Sequence, residues 1–356
     1  MSKIAFTPNA NGSGVFTLAS PNSNTNRTLT FPDESGTLLT SLGGTTGNLT
    51  VSGNLSVDGG TIKLDGNYPN GVNNVALGNT ALDTASGSNG YSVAIGTNAL
   101  TAMTSGGSNV AVGYASAAAM TTGGNNVSVG SEALDATTTA SNNVAVGSAA
   151  LGANTTASNN TAVGYQSLNA NTTGSSLVAV GKGALDANTT ASNSTAVGTD
   201  ALGANTTGSD NTALGYAALR DNTTASNNTA VGYFALEANT TGTSNTAVGV
   251  LALDANQTSN SNTAVGKEAG SSTTQAAGTY VGAEAGKNTD SVSNTFIGCS
   301  SGEAMTSGAK NTILGRFNGN EHSLDIRTSS NNIVLSDGDG NPRLYLNSTG
   351  ELFCQQ

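Results

Sequence analysis

The sequence predicts an all-β protein, an elongated trimeric β-solenoid in which a parallel β-roll has about fifteen 17-residue coils. Three observations predict this class: glycines at a fixed short period, alternation around each glycine, and turn segments rich in Asn, Thr and Ser. A repeat of this length is too short for a pair of helices, so one coil of a β-solenoid is the natural unit. A small β-rich N-terminal module and a C-terminal tip are expected at the two ends.

A series of regularly spaced glycines, called ladder glycines below, defines the coils. Ten of them recur at a constant 17-residue period: Gly113, Gly130, Gly147, Gly164, Gly181, Gly198, Gly215, Gly232, Gly249 and Gly266. The series continues backward to Gly96 and Gly78 and forward to Gly282, Gly298 and Gly315, with spacings that differ from this period by no more than one. About fifteen units therefore follow one template.

The residues before each ladder glycine alternate as in a β-strand. Thr161 and Val163 face one side of the chain and Ala162 faces the other. We predict that Val163 and its equivalents form the inward wall of the coil. Leu168, four residues after Gly164, is predicted to point inward from the other side. The Asn-Thr-Thr-Gly-Ser segments favour a turn that returns the chain to the next coil.

One coil buries too little apolar surface to offset the entropy lost in ordering its backbone. Neighbouring coils and neighbouring chains must therefore contribute. Asn160 and its equivalents, four residues before each ladder glycine, are expected to form a side-chain amide ladder between coils. The alanine column that contains Ala162 is expected to face outward and to let another copy approach closely. We therefore predict a homotrimer.

The pattern changes after Gly266. The leucine position becomes glycine, and the alanine of the strand becomes Tyr280, Phe296 and Ile313 in successive units. With alanine read as outward, this exchange indicates that the contact between chains moves to an aromatic-lined core.

The pattern divides the chain into a non-repeating segment 1–45, a β-rich connector 46–72, a repeat shaft 73–315 and a C-terminal tip 316–356. Several segments resemble known families. FTLASPNSNTNRTLTFPDESGTLLT near the start resembles the N-terminal module of tailed-phage fibre proteins, and GNLTVSGNLSVDGGTIKL is similar to the connectors that follow it. SVAIG and its equivalents resemble the head repeats of trimeric autotransporter adhesins, which form a parallel β-roll in an intertwined trimer.

The C-terminal stretch, from NTILG to the end, also resembles segments of phage fibre proteins. Together, these resemblances imply a structural virion fibre of a tailed phage, made in the host cytoplasm, whose trimeric rod mediates or supports attachment to the host surface. Residues 1–45 would then bind tail, baseplate or other virion proteins, and the tip would bind a host-surface glycan or protein. The alternatives are a bacterial surface adhesin and a purely structural virion decoration without receptor binding.

Composition argues against several classes of function. A net charge of −11 with only 9% charged residues argues against nucleic-acid binding, which needs clustered Lys and Arg. The N-terminal residues lack an apolar run typical of a signal peptide, and no apolar stretch is long enough to cross a membrane as a helix. Cys299 and Cys354 are expected to be unpaired. We expect no cofactor.

Arginine, histidine and aromatic residues are concentrated near the C-terminus. The candidates for receptor binding are Arg316, Phe317, His322, Arg327, Arg343 and Tyr345. The alternative role for these residues is to close the end of the solenoid, because solenoid ends need capping.

Other chemistry is weakly supported. Asp337, Asp339 and Asn341 have the oxygen-rich pattern of a calcium loop but lack EF-hand spacing, and a turn between two strands is the favoured interpretation. His322 is the only histidine, and acidic residues are sparse along the coils, so we predict no enzyme, although a glycosidase site between subunits stays open. Asn-Thr-Thr sequons, as at Asn154, are interpreted as structural turns rather than glycosylation sites, and the threonines as turn residues rather than an ice-binding array.

Overall fold

The computed structural model describes residues 73–84 and 90–354; the predicted N-terminal module 1–45 and connector 46–72 lie outside the described residues. The described part contains β-strands and no helix. The strands are β1 (Val75–Leu77), β2 (Val93–Ile95), β3 (Val110–Val112), β4 (Val127–Val129), β5 (Val144–Val146), β6 (Thr161–Val163), β7 (Val178–Val180), β8 (Thr195–Val197), β9 (Thr212–Leu214), β10 (Thr229–Val231), β11 (Thr246–Val248), β12 (Thr263–Val265), β13 (Thr279–Val281), β14 (Thr295–Ile297), β15 (Thr312–Leu314), β16 (Asn320–Glu321), β17 (Leu324–Asp325), β18 (Ile333–Ser336), β19 (Pro342–Leu346) and β20 (Leu352–Cys354).

Each coil contributes one three-residue strand to a continuous parallel sheet. Strands β1 to β15 pair in sequence order and without register shift, so that Val163 lies between Val146 and Val180. β18 pairs parallel to β15, which carries the stack beyond residue 315 into the segment 316–356. The predicted all-β parallel solenoid of about fifteen 17-residue coils is confirmed.

The interior of the coil lies on the alanine side of the strand. Ala162 is completely buried, whereas Thr161 and Val163 are half-buried at the surface. The prediction that Val163 faces inward and Ala162 outward is therefore wrong. Leu168 is completely buried, as predicted. The coil is narrow, so the strand can present only a methyl group to the interior once leucine fills the opposite side.

The ladder glycines are required because the coils approach closely at these positions. Gly164 has φ of +142°, a backbone conformation that favours glycine, and a Cβ there would overlap the carbonyl oxygen of Gly181 in the next coil. Gly130 and Gly147 have the same geometry. This contact explains why glycine recurs at the period of the repeat.

The side of the coil opposite the strand is built from turns. Leu168 has φ of +52°, in the left-handed region that bulky residues rarely occupy. Its N–H donates to the carbonyl oxygen of Ala184 in the next coil at 3.0 Å. Hydrogen bonds between coils thus hold an unusual backbone in which leucine points into the core.

Two columns of buried asparagines connect the coils. The Asn160 backbone N–H donates to Asn143 Oδ1 at 2.9 Å, and Asn160 Nδ2 donates to the Gly174 carbonyl oxygen at 2.9 Å. The predicted asparagine ladder is therefore confirmed, with most of its bonds made to backbone groups. The second column is formed by the sequon asparagines, where Asn188 Nδ2 donates to Asn171 Oδ1 at 2.8 Å.

The sequon asparagines serve the structural role that was predicted. They are completely buried, at Asn154, Asn171, Asn188, Asn205, Asn222 and Asn239. A buried amide that bonds the next coil cannot carry a glycan while the chain is folded.

The last coils replace the alanine and leucine of the core with a ring and a glycine. Tyr280 and Phe296 are completely buried, and their ring centroids lie 5.8 Å apart. A Cβ at Gly286 would overlap the Tyr280 ring, and one at Gly302 would meet the Phe296 ring. The rings therefore fill the core of their own chain, and the predicted aromatic contact between chains at these residues is wrong.

The sheet ends in an antiparallel extension. β18 pairs with β19, and β19 pairs with β20, both antiparallel, while β16 and β17 form a separate short hairpin. Phe317, Ile326 and Val334 are buried and continue the core of the coils into this end.

Candidate interaction surfaces

A flat face of outward-pointing side chains runs along the parallel sheet. We define it as the first and third residues of β1 to β15 and β18. The first position holds valine, threonine or isoleucine, and the third holds valine, isoleucine or leucine. The third-position side chains are partly exposed, and the more accessible ones reach 37% for Ile95 and 45% for Leu77. The flat face is thus an uncharged, largely aliphatic surface.

The size of the flat face is unusual for a surface exposed to water. With a strand spacing of roughly 4.8 Å and a rise of 3.3 Å per residue, sixteen three-residue strands cover about 750 Å². The largest apolar patch on a typical soluble monomer is roughly 300–600 Å². Each partner in a stable complex contributes about 800 Å². The flat face therefore has the area and the composition of a protein–protein interface.

A second surface feature is a group of three aromatic rings, called the aromatic cluster below. It consists of Tyr216, Tyr233 and Phe234, on successive coils. The ring centroids of Tyr216 and Tyr233 lie 5.5 Å apart in a stacked arrangement. Phe234 contacts both edge-on, at 5.3 Å from Tyr216 and 4.2 Å from Tyr233. The two tyrosines are about half exposed.

Charged side chains lie on the same two coils as the aromatic cluster. Arg220 Nη1 lies 2.7 Å from Glu237 Oε1, and Arg220 Nε lies 2.9 Å from Asp221 Oδ1. Desolvation raises the pKa of Glu237, and Arg220 opposes this shift. Desolvation also raises the pKa of Asp254 on the next coil, where the Oδ1 atom is shielded from solvent and has no hydrogen-bond partner.

Three of the six candidate residues in the tip are committed to contacts within the chain. Phe317 is completely buried in the core. Arg327 makes two hydrogen bonds to the Asp325 carboxylate, which lower the pKa of Asp325 to about 2. Arg343 bonds the Asp337 carboxylate through two nitrogens, the shorter at 2.6 Å. These contacts favour a structural role for the three residues.

The other three candidates have different environments. Arg316 and His322 are exposed. Tyr345 is half-buried, donates from its hydroxyl to Asn332 Oδ1 at 3.0 Å and stacks on Phe353 at 5.6 Å. A cavity of about 320 Å³ next to it is lined by Ser323, Leu324, Pro342, Tyr345, Phe353 and Cys354. The structure does not bring the six candidates together into one site.

The predicted turn between two strands is confirmed at the calcium-like sequence. β18 and β19 form the hairpin, and Asp337 Oδ1 accepts hydrogen bonds from the backbone N–H groups of Asp339 and Asn341. Desolvation alone would raise the pKa of Asp337, but bonds from Asn341 and Arg343 outweigh it and lower the pKa well below the ordinary value. Backbone and guanidinium donors thus occupy the carboxylate that calcium would need.

Within residues 73–84 and 90–354, no three His, Cys, Asp or Glu side chains are grouped as metal ligands, and no helix could cross a membrane. Cys299 and Cys354 are free and exposed. No family model, curated protein or solved structure matches the chain. Sequence reasoning missed the aromatic cluster; the available signal was tyrosine directly after two successive ladder glycines, Gly215 and Gly232.

Proposed function

We propose that the protein is the subunit of a homotrimeric structural fibre of a tailed-phage virion, which mediates or supports attachment to the host surface. The observation that carries the proposal is the flat face, because an uncharged, largely aliphatic surface whose strands span about 750 Å² favours lateral association of chains. This moves the proposed contact between chains from the alanine column to the columns of Val163 and Thr161. The number of chains, three, comes from the resemblance to trimeric fibres and adhesin heads.

The placement on a virion comes from the resemblance at both ends of the chain. In this proposal residues 1–45 bind tail, baseplate or other virion proteins. The C-terminal segment 316–356 contacts a host-surface glycan or protein, with the exposed residues Arg316 and His322 as candidates. The solenoid 73–315 acts mechanically as the rod of the fibre.

Sedimentation equilibrium tests the association through the flat face. Val163→Asp combined with Val231→Asp places two carboxylates on the flat face, where burial against another chain would be costly. We expect the unmodified chain to have the mass of a trimer and the variant to be monomeric with an unchanged circular dichroism spectrum. Thr156→Asp with Thr224→Asp, at exposed turn positions, is the matched control and should stay trimeric. A monomeric unmodified chain, or a variant that stays trimeric, would contradict the proposal.

Antibody labelling and adsorption assays test the role on the virion. Gold-labelled antibody should decorate purified phage particles, and Arg316→Glu with His322→Glu should reduce adsorption to host cells while the particles still assemble. Label on bacterial surfaces alone would favour the adhesin alternative. Labelled particles that adsorb normally with both substitutions would favour a structural decoration.

A further inference from the structure

The aromatic cluster occupies positions where the fold does not require large side chains. Equivalent positions in another coil hold Ser148 and Ala149, and that coil has the same strand and turn geometry. The chain has only eight tyrosines and seven phenylalanines, so three rings in mutual contact on two successive coils are a local concentration. The rings therefore add something that the coil itself does not need.

The rings of the cluster are presented to solvent. Tyr216 is 47% exposed and Tyr233 is 50% exposed, whereas the core rings of Tyr280 and Phe296 are completely buried. The planes of the two exposed phenol rings differ by only 17°, and Phe234 supports both from the side. Because the two phenol rings stack on each other, they present their edges, their hydroxyls and their outer faces to solvent as one rigid aromatic surface, called the platform below.

Polar groups that are already held in place lie on the same two coils as this platform. The Arg220 guanidinium is fixed between Asp221 and Glu237, four residues after Tyr216 in the chain. On the next coil, the Asp254 carboxylate adds negative charge near Glu237, but its Oδ1 atom is shielded from solvent and is not available to a ligand. An aromatic surface with a few fixed polar groups at its side is the usual composition of a small-ligand site.

The charges restrict the class of ligand. Three carboxylates against one guanidinium, on a chain of net charge −11, disfavour phosphates, nucleic acids and acidic polysaccharides. A neutral hexopyranose fits, because its ring has an apolar C–H face for stacking and a rim of hydroxyls. Carboxylates accept hydrogen bonds from hydroxyls, and guanidinium donates to their oxygens.

We propose that the aromatic cluster binds a neutral carbohydrate, with a sugar ring packed against the exposed surface of the Tyr216 and Tyr233 rings and its hydroxyls bonded to Arg220 and Glu237. This goes beyond the proposed function, because it places a recognition site on the repeat solenoid rather than in 316–356. It does not require the chain to be a trimer.

Affinity electrophoresis of the full chain tests the proposal. Native gels that contain amylose, dextran or galactomannan are compared with gels that contain no polysaccharide. The test variant combines Tyr216→Ser, Tyr233→Ser and Phe234→Ala, which restores the small residues found in other coils. Tyr165→Ser removes a similarly exposed tyrosine outside the cluster and is the matched control.

We expect at least one of the three polysaccharides to retard the unmodified chain and the control equally, and the triple variant to lose about tenfold or more in affinity. Equal retardation of the unmodified chain, the control and the triple variant, or no retardation in any gel, would overturn the proposal. Sedimentation of the triple variant should show an unchanged mass; a lower mass would identify the cluster as a contact between chains and would also overturn it. Retardation of the Val163→Asp, Val231→Asp variant should persist even if association through the flat face is lost, so the two proposals can fail separately.

Discussion

Two kinds of coil in the same solenoid solve the same packing problem in opposite ways. In the coils up to Gly249, called the alanine–leucine coils below, the strand contributes a small residue such as Ala162 and the turn side contributes Leu168. In the coils of Gly282 and Gly298, called the aromatic coils below, the strand contributes Tyr280 or Phe296 and the turn side contributes glycine. The comparison teaches that the interior conserves total volume rather than the residue at any one position.

The two kinds of coil also differ in backbone strain. The turn residue has almost the same left-handed conformation in both, with φ of +52° at Leu168 and +61° at Gly286. A leucine in this region costs on the order of 1–3 kcal/mol, whereas glycine adopts it readily. The alanine–leucine coils therefore accept strain to bury leucine, and the aromatic coils avoid it because the ring fills the space.

Exchange of the large residue between the two sides of an aromatic coil gives the largest expected effect. Tyr280→Ala should lower the free energy of unfolding by about 3–5 kcal/mol, because it removes a fully buried ring. Gly286→Leu should also destabilise, because its side chain meets that ring. The double variant, which imitates an alanine–leucine coil, should lose clearly less than the sum. Urea unfolding measures all three, and strictly additive losses would contradict the volume argument.

Steric overlap can be separated from backbone strain with two glycines of similar conformation. Gly286 has φ of +61° and Gly183 has φ of +63°. A Cβ at Gly286 would overlap the rigid Tyr280 ring, whereas one at Gly183 would meet only the mobile carboxylate of Asp200, at 2.6 Å. Gly183→Ala should cost about 1 kcal/mol, from strain, and Gly286→Ala about 1–3 kcal/mol more, from overpacking. Equal losses in thermal unfolding would show that the ring does not restrict this position.

Alkaline pH should weaken the aromatic coils through Tyr280. Desolvation raises its pKa from 10.0 to about 12, so between these values the folded state holds a proton that the unfolded state has lost. Stability must therefore fall as the pH rises above 10. Tyr280→Phe should change stability little at pH 7, since the buried hydroxyl makes no hydrogen bond of standard geometry. Between pH 7 and pH 11, the stability of the variant relative to the unmodified chain should increase by about 1 kcal/mol. The same stability difference at both pH values would contradict burial of the phenol.

Acidic residues in the repeat and in the C-terminal segment 316–356 should have opposite effects on how stability depends on pH. Desolvation raises the pKa of Asp186 in an alanine–leucine coil, so this carboxylate destabilises the fold at pH 7, and the penalty disappears as the pH falls below 3.8. Hydrogen bonds from Arg327 lower the pKa of Asp325 to about 2, so its contribution is present at pH 7 and is lost as the pH falls through about 2.

Asp186→Asn should therefore raise the melting temperature slightly at pH 7. The gain in free energy of unfolding should be less than about 1 kcal/mol, because water screens the half-exposed group. Asp325→Asn should lower the melting temperature slightly. Both effects should shrink toward zero in melts at progressively lower pH. A gain from Asp186→Asn that is the same at pH 7 and pH 3 would refute a charge-based origin.

The periodic features of the fold could be predicted from the sequence because each one repeats in most coils. The 17-residue period defined the coil, and the inward position of Leu168 and the buried asparagine column of Asn160 followed from residues that recur at constant offsets. Which face of the strand is buried could not be derived in the same way. Alternation separates Ala162 from Val163 but does not say which side is enclosed, and the larger residue was assigned to the interior.

The candidate surfaces depend on which face of the strand is buried, so most of them could not be predicted from the sequence. Because the alanine side of the strand is buried, contrary to the prediction, the aliphatic column of Val163 lies on the flat face. For the same reason Tyr280 lies in the core and not at a contact with another chain. Phe317 packs into the core beyond the last ladder glycine, and Arg327 pairs with Asp325; neither contact follows from the repeat pattern or from composition. The aromatic cluster was visible in the sequence only as two tyrosines that break a pattern of small residues.

The aromatic coils have a consequence for how the chain finds its alignment during folding. Coils with nearly identical sequences can stack on the wrong neighbour, with one repeat looped out, at little energetic cost, and a linear array can begin to fold at any of them. The Tyr280 and Phe296 rings fit only where glycine faces them, and the 16-residue spacing there matches no other coil. The aromatic coils can thus stack only on their own neighbours, which favours one stacking order for the coils of the array.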